Sequence, residues 1–339
     1  MEFRRIRSRW GKQDAVREDR HPTHNGAGWV LDVRRFAVSS RFRRDLKPLL
    51  LIPGYCMNSF VLGFHPEGLS LVEHLAYEGF EVWTANLRGQ GESRRIGGAK
   101  AHAFRELALV DLPRAIDVVL QETRTRADVV DLIGISLGGT FVYTYLAHRT
   151  ECHRVGSVVG MGAPLRWERI HPAIKLAFRS RRLVGALPIK GTRRMAKLAV
   201  PVVRRLPKIA SLYVNPRNVD LTPAGELVKT VEDPVPALNR AIAQWMQDVD
   251  LHVDGVNVTD GLQAIDRPLL CVYANGDGIV PPAVALSVTR RIGSRKVETL
   301  EVGDDRMPYA HADMFIGTNA RQTVFKPLSS WLERHNPSA

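Results

Sequence analysis

Short, nearly unbroken apolar runs that end in turn residues limit this chain more than any other feature. The clearest are KPLLLIPG (47–54), FEVWTAN (80–86), ADVVDLIG (127–134), VGSVVGMGAP (155–164) and PLLCVYANG (268–276). A strand that is apolar throughout, rather than at every second residue, is covered on both faces, as in a parallel sheet between two helical layers. Helical stretches lie between the runs. One spans 69–78 and closes at Gly79; another spans 103–123, with Leu109, Leu112, Ile116, Val119 and Leu120 at helical spacing. GWVLDVRRFAV (28–38) and KVETLEV (296–302) read as further strands, and 318–334 as a closing helix. This alternation predicts an α/β fold: a mostly parallel sheet, right-handed crossovers and helices on both faces.

The alternation breaks once. After 155–164 the next convincing strand begins about a hundred residues later, whereas a crossover needs only a few tens. We therefore expect the first part of an α/β core over 1–164, an inserted helical cap over 165–262 and the rest of the core over 263–339. A chain of 339 residues accommodates one large core with such an insertion.

Composition excludes several classes. Apolar residues are 45%, charged 24% and aromatic 7%, which is ordinary for a globular protein and unlike disordered or fibrous chains. The opening MEFRRIRSRWGKQDAVREDRH carries no apolar signal core, and no apolar run reaches the roughly 20 residues of a membrane span. Cys56, Cys152 and Cys271 are three and widely spaced, matching neither a disulfide framework nor a zinc site. A reducing, cytoplasmic setting is expected. The histidines of HPTH (21–24), and His148 with Cys152 and His153, form no recognisable metal set.

The chemistry concentrates in a few loops. Gly134-Ile135-Ser136-Leu137-Gly138 sits where a strand meets a helix, the place of a nucleophile elbow. There a serine projects Oγ above the sheet from a turn so tight that flanking Cβ atoms would clash, hence Gly134 and Gly138. A serine hydroxyl is a weak nucleophile at neutral pH, so it needs a base held in one tautomer by a third group. In chain order Ser, acid, His, the partners are Asp277 in NGDGIVPP and His311 in MPYAHADMF, each in a loop after a late strand. Asp313 and the pair Asp304-Asp305 are fallback acids, ranked lower because they share the histidine's loop. The oxyanion hole needs two backbone amides: Leu137, at the start of the helix, and Tyr55, after Pro53-Gly54. Cys56 beside it has nothing nearby that clearly lowers its pKa, and reads as a small hydrophobe. This chemistry requires no metal or organic cofactor.

Over roughly 45–164 and 263–334 the chain resembles the α/β-hydrolase superfamily. The resemblance rests on Pro53-Gly54, LRGQGES (87–93), GISLG (134–138), DGIVP (277–281) and the final histidine. Within it, the stretch from PLLLIPGYC to LRGQGES is similar to acid lipases and polyhydroxyalkanoate synthases, which implies ester or thioester chemistry. Ser136 stands where those synthases carry a cysteine, which argues against polymer synthesis. Pro53 replaces the family's usual histidine. The leading expectation is a serine hydrolase for carboxylic esters with an apolar acyl or lipid-like part. The alternatives are an acyltransferase using the same triad and a non-catalytic lipid-binding or interaction protein.

Between Arg166 and Lys208 stand thirteen Lys and Arg against one acid, Glu168, so almost the whole net charge of +13 lies in one segment. Two amphipathic helices can be drawn there. One places Ile174, Ala177 and Phe178 opposite Lys175, Arg179 and Arg182. The other carries Met195, Leu198, Ala199, Val202, Val203 and Leu206, with Pro201 expected to kink or split it. The segment reads either as the solvated face of a cap packed by its apolar side, or as a contact with an anionic membrane. Nucleic acid is a weaker reading, because only Trp167 and Phe178 are aromatic. The oligomeric state is not legible.

Overall fold

The computed structural model describes residues 15–148, 153–182, 190–205 and 211–336. Cys152, Leu206 and Lys208 lie outside them. Among the described residues the main sheet has ten strands, two of them short pieces, Thr23–His24 and Arg94–Arg95, paired to the side of β2; the other eight are β1 (Val16–Arg20), β2 (Trp29–Val38), β3 (Leu49–Ile52), β4 (Val82–Asn86), β5 (Val130–Ile135), β6 (Val155–Met161), β7 (Leu269–Ala274) and β8 (Val297–Val302). Their order is β1-β2-β4-β3-β5-β6-β7-β8. The first two pairings, β1 with β2 and β2 with β4, are antiparallel, and every later pairing is parallel.

The unbroken apolar runs are explained by cover on both faces. In β3, Leu50 and Ile52 enter one core cluster and Leu49 and Leu51 the other, all four fully buried. In β7, Leu269 and Cys271 face the first cluster, and Leu270 and Val272 the second. Helices α1 (Leu71–Tyr77) and α7 (Lys326–Arg334) cover the second face with Leu71, Leu75, Leu328 and Trp331. The first is covered by α2 (Leu112–Glu122), α3 (Leu137–His148) and α6 (Pro236–Asp248), through Ile116, Phe141, Ile242 and Trp245. Each fully buried Leu or Ile contributes on the order of 2 kcal/mol, so these two layers hold the sheet. The N-terminus of α1 is closed by a capping box, Ser70 Oγ accepting from Glu73 N and Glu73 Oε2 from Ser70 N.

Two expected helices differ in detail. The segment expected over 103–123 passes through a π-turn at Leu107–Asp111 just before Pro113, and the closing segment does the same at Arg321–Phe325 before Pro327. A proline has no N–H to give the carbonyl four residues back and its ring crowds it, so a wider turn relieves the clash. The basic helix α5 (Thr192–Arg205), by contrast, is not split at Pro201. The carbonyl left without a donor there belongs to Lys197, an exposed position where water can satisfy it.

Strands β6 and β7 pair directly, Leu269 opposite Val158, so the chain between them leaves the main sheet. This stretch holds α4 (Pro172–Ala177), α5, α6 and a separate small hairpin, His252–Val253 with Val256–Asn257. It is not uniform. Leu238, Ile242, Trp245, Leu251 and Val258 belong to the first core cluster, whereas Leu176, Met195 and Leu198 are exposed.

Candidate active site

Strand β5 and helix α3 are joined by Ser136 alone, whose φ of +52° lies in the left-handed region that a side-chain-bearing residue rarely adopts. The turn is held from below. Ser136 N donates to Met161 O at 2.8 Å, and Gly139 N donates to Ser136 O at 2.9 Å. A Cβ on Gly138 would lie 2.2 Å from Ile52 O, and one on Gly134 would lie 2.3 Å from Gly139 Cα, so the sharpness of the turn requires glycine at both positions. Leu137 begins α3, placing its amide at the positive end of the helix dipole.

Asp277 follows β7 and His311 follows β8. Their side chains meet with His311 Nδ1 at 2.5 Å from Asp277 Oδ2, both deeply buried. The other carboxylate oxygen, Oδ1, accepts from Ile279 N and Val280 N at 2.8 Å each. A carboxylate at Nδ1 keeps the proton on that nitrogen, which leaves Nε2 as the acceptor. One short segment touches both partners of the proposed chemistry. Met161 O anchors Ser136, and the next residue, Gly162, lies under the imidazole, where a Cβ would come within 2.9 Å of His311 Cε1. From the other side, Gly278 N donates to Leu212 O and Ala312 N to Tyr213 O, so Leu212–Tyr213 bridges the two loops. The Tyr213 ring centroid is 6.0 Å from that of His311.

Two of the fallback acids, Asp313 and Asp304, are otherwise engaged. Asp313 Oδ1 accepts from Asn215 N, and Oδ2 from Ala310 N and Asn218 Nδ2. Burial, with Asp277 nearby, pushes its pKa up to about 6. Asp304 Oδ1 accepts from Arg306 N and Met307 N in an exposed turn.

The Pro53-Gly54-Tyr55 turn packs against the Ser136 turn: a Cβ on Gly54 would lie 2.8 Å from Ser136 Cβ and 3.2 Å from Leu137 N. Gln90 braces it, its Nε2 donating to Gly54 O at 3.0 Å while its Oε1 accepts from Leu87 N. The Tyr55 hydroxyl donates to Asn239 Oδ1 at 2.5 Å. Cys56 O accepts from Glu232 N, and burial, with Asp233 and Glu232 near, pushes the thiol up to about 12, so it carries no thiolate at neutral pH. Beneath the loop that carries Gln90, Arg88 makes a buried two-point ion pair with Asp111, 2.8 Å and 2.6 Å, and Asn25 Nδ2 donates to the same carboxylate. A cavity of about 20 Å³ lies beside the turn, with Leu107, Phe141, Val235 and Leu238 on its apolar side.

Gln90, Arg88, Asp111, Asn239 and Asp313 had no bracing role in the sequence reading. Gln90 and Arg88 lie within LRGQGES, the one stretch that could have pointed to them. Their partners are 23 to 36 residues away, so only folding reveals the contacts. His148, part of no recognisable metal set by sequence, has both ring nitrogens against carbonyls, those of Thr144 and Val253.

Comparison with solved structures gives the same fold. A soluble variant of monoglyceride lipase from Saccharomyces cerevisiae superposes with a TM-score of 0.63 at 15% identity, covering 94% of each chain. A thermophilic esterase from Thermogutta terrifontis gives 0.58 at 18% identity, covering 94% of this chain and 99% of that one. The haloalkane dehalogenase DbeA from Bradyrhizobium elkani gives 0.59 at 15% identity, covering 96% and 100%. No curated protein matches by sequence. The model of the alpha/beta hydrolase fold family matches residues 47–305, from the strand before the Gly54 turn to the loop before His311, and the chain belongs to that family.

Proposed function

We propose that the protein is a serine hydrolase of carboxylic esters with an apolar acyl or lipid-like part. The fold does not select this chemistry, since a lipase, an esterase and a haloalkane dehalogenase share it. The observation that carries the reading is the strained Ser136 turn anchored to Met161, next to the Gly162 on which the Asp277–His311 pair rests.

On this reading His311 Nε2 takes the proton from Ser136 Oγ as the oxygen attacks the ester carbonyl. Asp277 stabilises the imidazolium that forms, and the amides of Tyr55 and Leu137 receive the oxyanion. Collapse of the tetrahedral intermediate expels the alkoxide, which takes the proton from His311, and leaves an acyl-serine. Water, deprotonated by His311, then attacks the acyl carbonyl, and the acid leaves as Ser136 regains its proton. Loss of one oxyanion donor in such a site costs about 10²- to 10³-fold in kcat. Leu107, Phe141, Val235 and Leu238 put apolar surface beside the Tyr55 turn, but the cavity they line, about 20 Å³, has room for little more than one water, so an acyl chain requires this wall to open.

A series of esters of increasing acyl length, assayed with wild type and Ser136→Ala together with active-site labelling by a fluorophosphonate, tests the proposal. Turnover and labelling should both vanish in the variant; full turnover by Ser136→Ala refutes it. Competing alcohols in the same assay separate hydrolysis from acyl transfer.

A further inference from the structure

Helices α4 and α5 expose apolar side chains among unpaired positive charges. Leu176 is 70% exposed, Met195 58% and Leu198 79%, the three largest values among the exposed large hydrophobic side chains of the described residues. Around them, Lys175, Arg179, Arg181, Arg182, Arg194 and Lys197 are exposed. Among the described residues no carboxylate forms an ion pair with any of these six. Two basic residues of the segment do pair: Arg166, at its start, with Asp250, and Arg193, beside Arg194, with Glu232. Arg179, Arg181 and Arg182 also rim a surface recess of about 670 Å³ beside Leu176.

Burying the apolar side of α5 on the core is thus not what the sequence pattern achieves at Met195 and Leu198. Exposed apolar side chains flanked by unpaired Lys and Arg suit insertion at the headgroup level of an anionic bilayer, each base adding about 1 kcal/mol near such a surface. Single-stranded nucleic acid would call for outward aromatic platforms. Trp167 is buried and Phe178 packs against the core, so both aromatic residues of the segment face inward.

We propose that α4 and α5 form a docking face for anionic lipid surfaces. The face adjoins the candidate active site. At the start of α5, Thr192 N donates to Asp233 Oδ1, and Arg193 reaches Glu232 Oε1 at 3.0 Å and Val231 O at 3.1 Å. Glu232 N in turn donates to Cys56 O, one residue from Tyr55. Docking by this face brings a lipid surface beside the turn that packs on Ser136, and it does not depend on whether Ser136 is a nucleophile.

The test is cosedimentation of the full chain with phosphatidylserine-containing and with purely phosphatidylcholine vesicles, at low and high salt. Wild type should bind the anionic vesicles preferentially and release as salt rises, because exposed charges are screened over about 8 Å at physiological ionic strength. The variant Arg179→Gln/Arg182→Gln/Arg194→Gln/Lys197→Gln, which leaves Arg193 in place, should bind at least about tenfold more weakly. Leu176→Ser/Leu198→Ser should remove the part of binding that survives salt. Both variants alter exposed side chains and should melt as wild type does, while Ser136→Ala should dock normally even if ester turnover proves absent. Equal binding to both vesicle types, no binding to either, or tighter binding to a single-stranded oligonucleotide overturns the proposal.

Discussion

His311 Nδ1 and Asp277 Oδ2 meet at 2.5 Å across 34 residues of chain, with the second carboxylate oxygen fixed by the amides of Ile279 and Val280. Asp277→Asn keeps this shape but presents an amide N–H or a neutral oxygen to the imidazole, which releases the tautomer. The kcat for ester hydrolysis should fall by about 10⁴-fold with little change in KM. Adding Asp277→Asn to Ser136→Ala should cost almost nothing more, because the groups act as a unit. A change under tenfold for Asp277→Asn would remove Asp277 from the proposed triad.

Gly162 has a φ of +56°, and a Cβ there would press on His311 Cε1 at 2.9 Å. Gly162→Ala should therefore displace the imidazole while adding about 1–2 kcal/mol of backbone strain. The expected result is a folded protein whose labelling by a fluorophosphonate is slowed at least about tenfold. Labelling at the wild-type rate would mean that the imidazole position is not needed for serine activation.

The Arg88–Asp111 pair is almost wholly buried and lies beneath the loop that carries Gln90. Removing one member strands the other charge. Asp111→Ala should cost about 3–5 kcal/mol, a larger loss than replacing both by a matched apolar pair. Chemical denaturation of the single and double variants measures the difference.

Burial, with Arg321 and Lys326 nearby, holds His74 at about 4, below its ordinary 6.5. Between those values the unfolded chain binds a proton that the folded one refuses, so stability rises with pH in this window and is lost as pH falls from about 6.5 toward 4. The contribution reaches about 3 kcal/mol at the acidic end. In His74→Gln this component should be missing, so the gap between the variant and wild type should narrow on acidification. Parallel stability curves would exclude His74 as the source.

Much of the fold was legible because each strand carries its own instruction. Runs such as KPLLLIPG and PLLCVYANG are apolar at consecutive positions, and consecutive side chains of a strand point to opposite faces. The sequence alone therefore required two covering layers, and the two core clusters supply them. The Ser136 turn was legible for a related reason: its glycines answer a steric demand made within a few residues. Asp277 and His311 could be proposed from chain order and the strands they follow, but their 2.5 Å contact exists only once β7 and β8 lie side by side.

The tertiary structure alone decided what depends on distant partners. Gln90 reaches Gly54, Tyr55 reaches Asn239, Arg88 reaches Asp111, and Asp313 reaches Asn215 and Asn218. None of these has a local signature, because a polar side chain reads alike in sequence whether it is solvated or buried against a partner. The basic segment shows the same limit from the other side. Its helical spacing was plain, yet spacing defines a face without saying what covers it. That Met195 and Leu198 point outward follows from where the body of the protein ends.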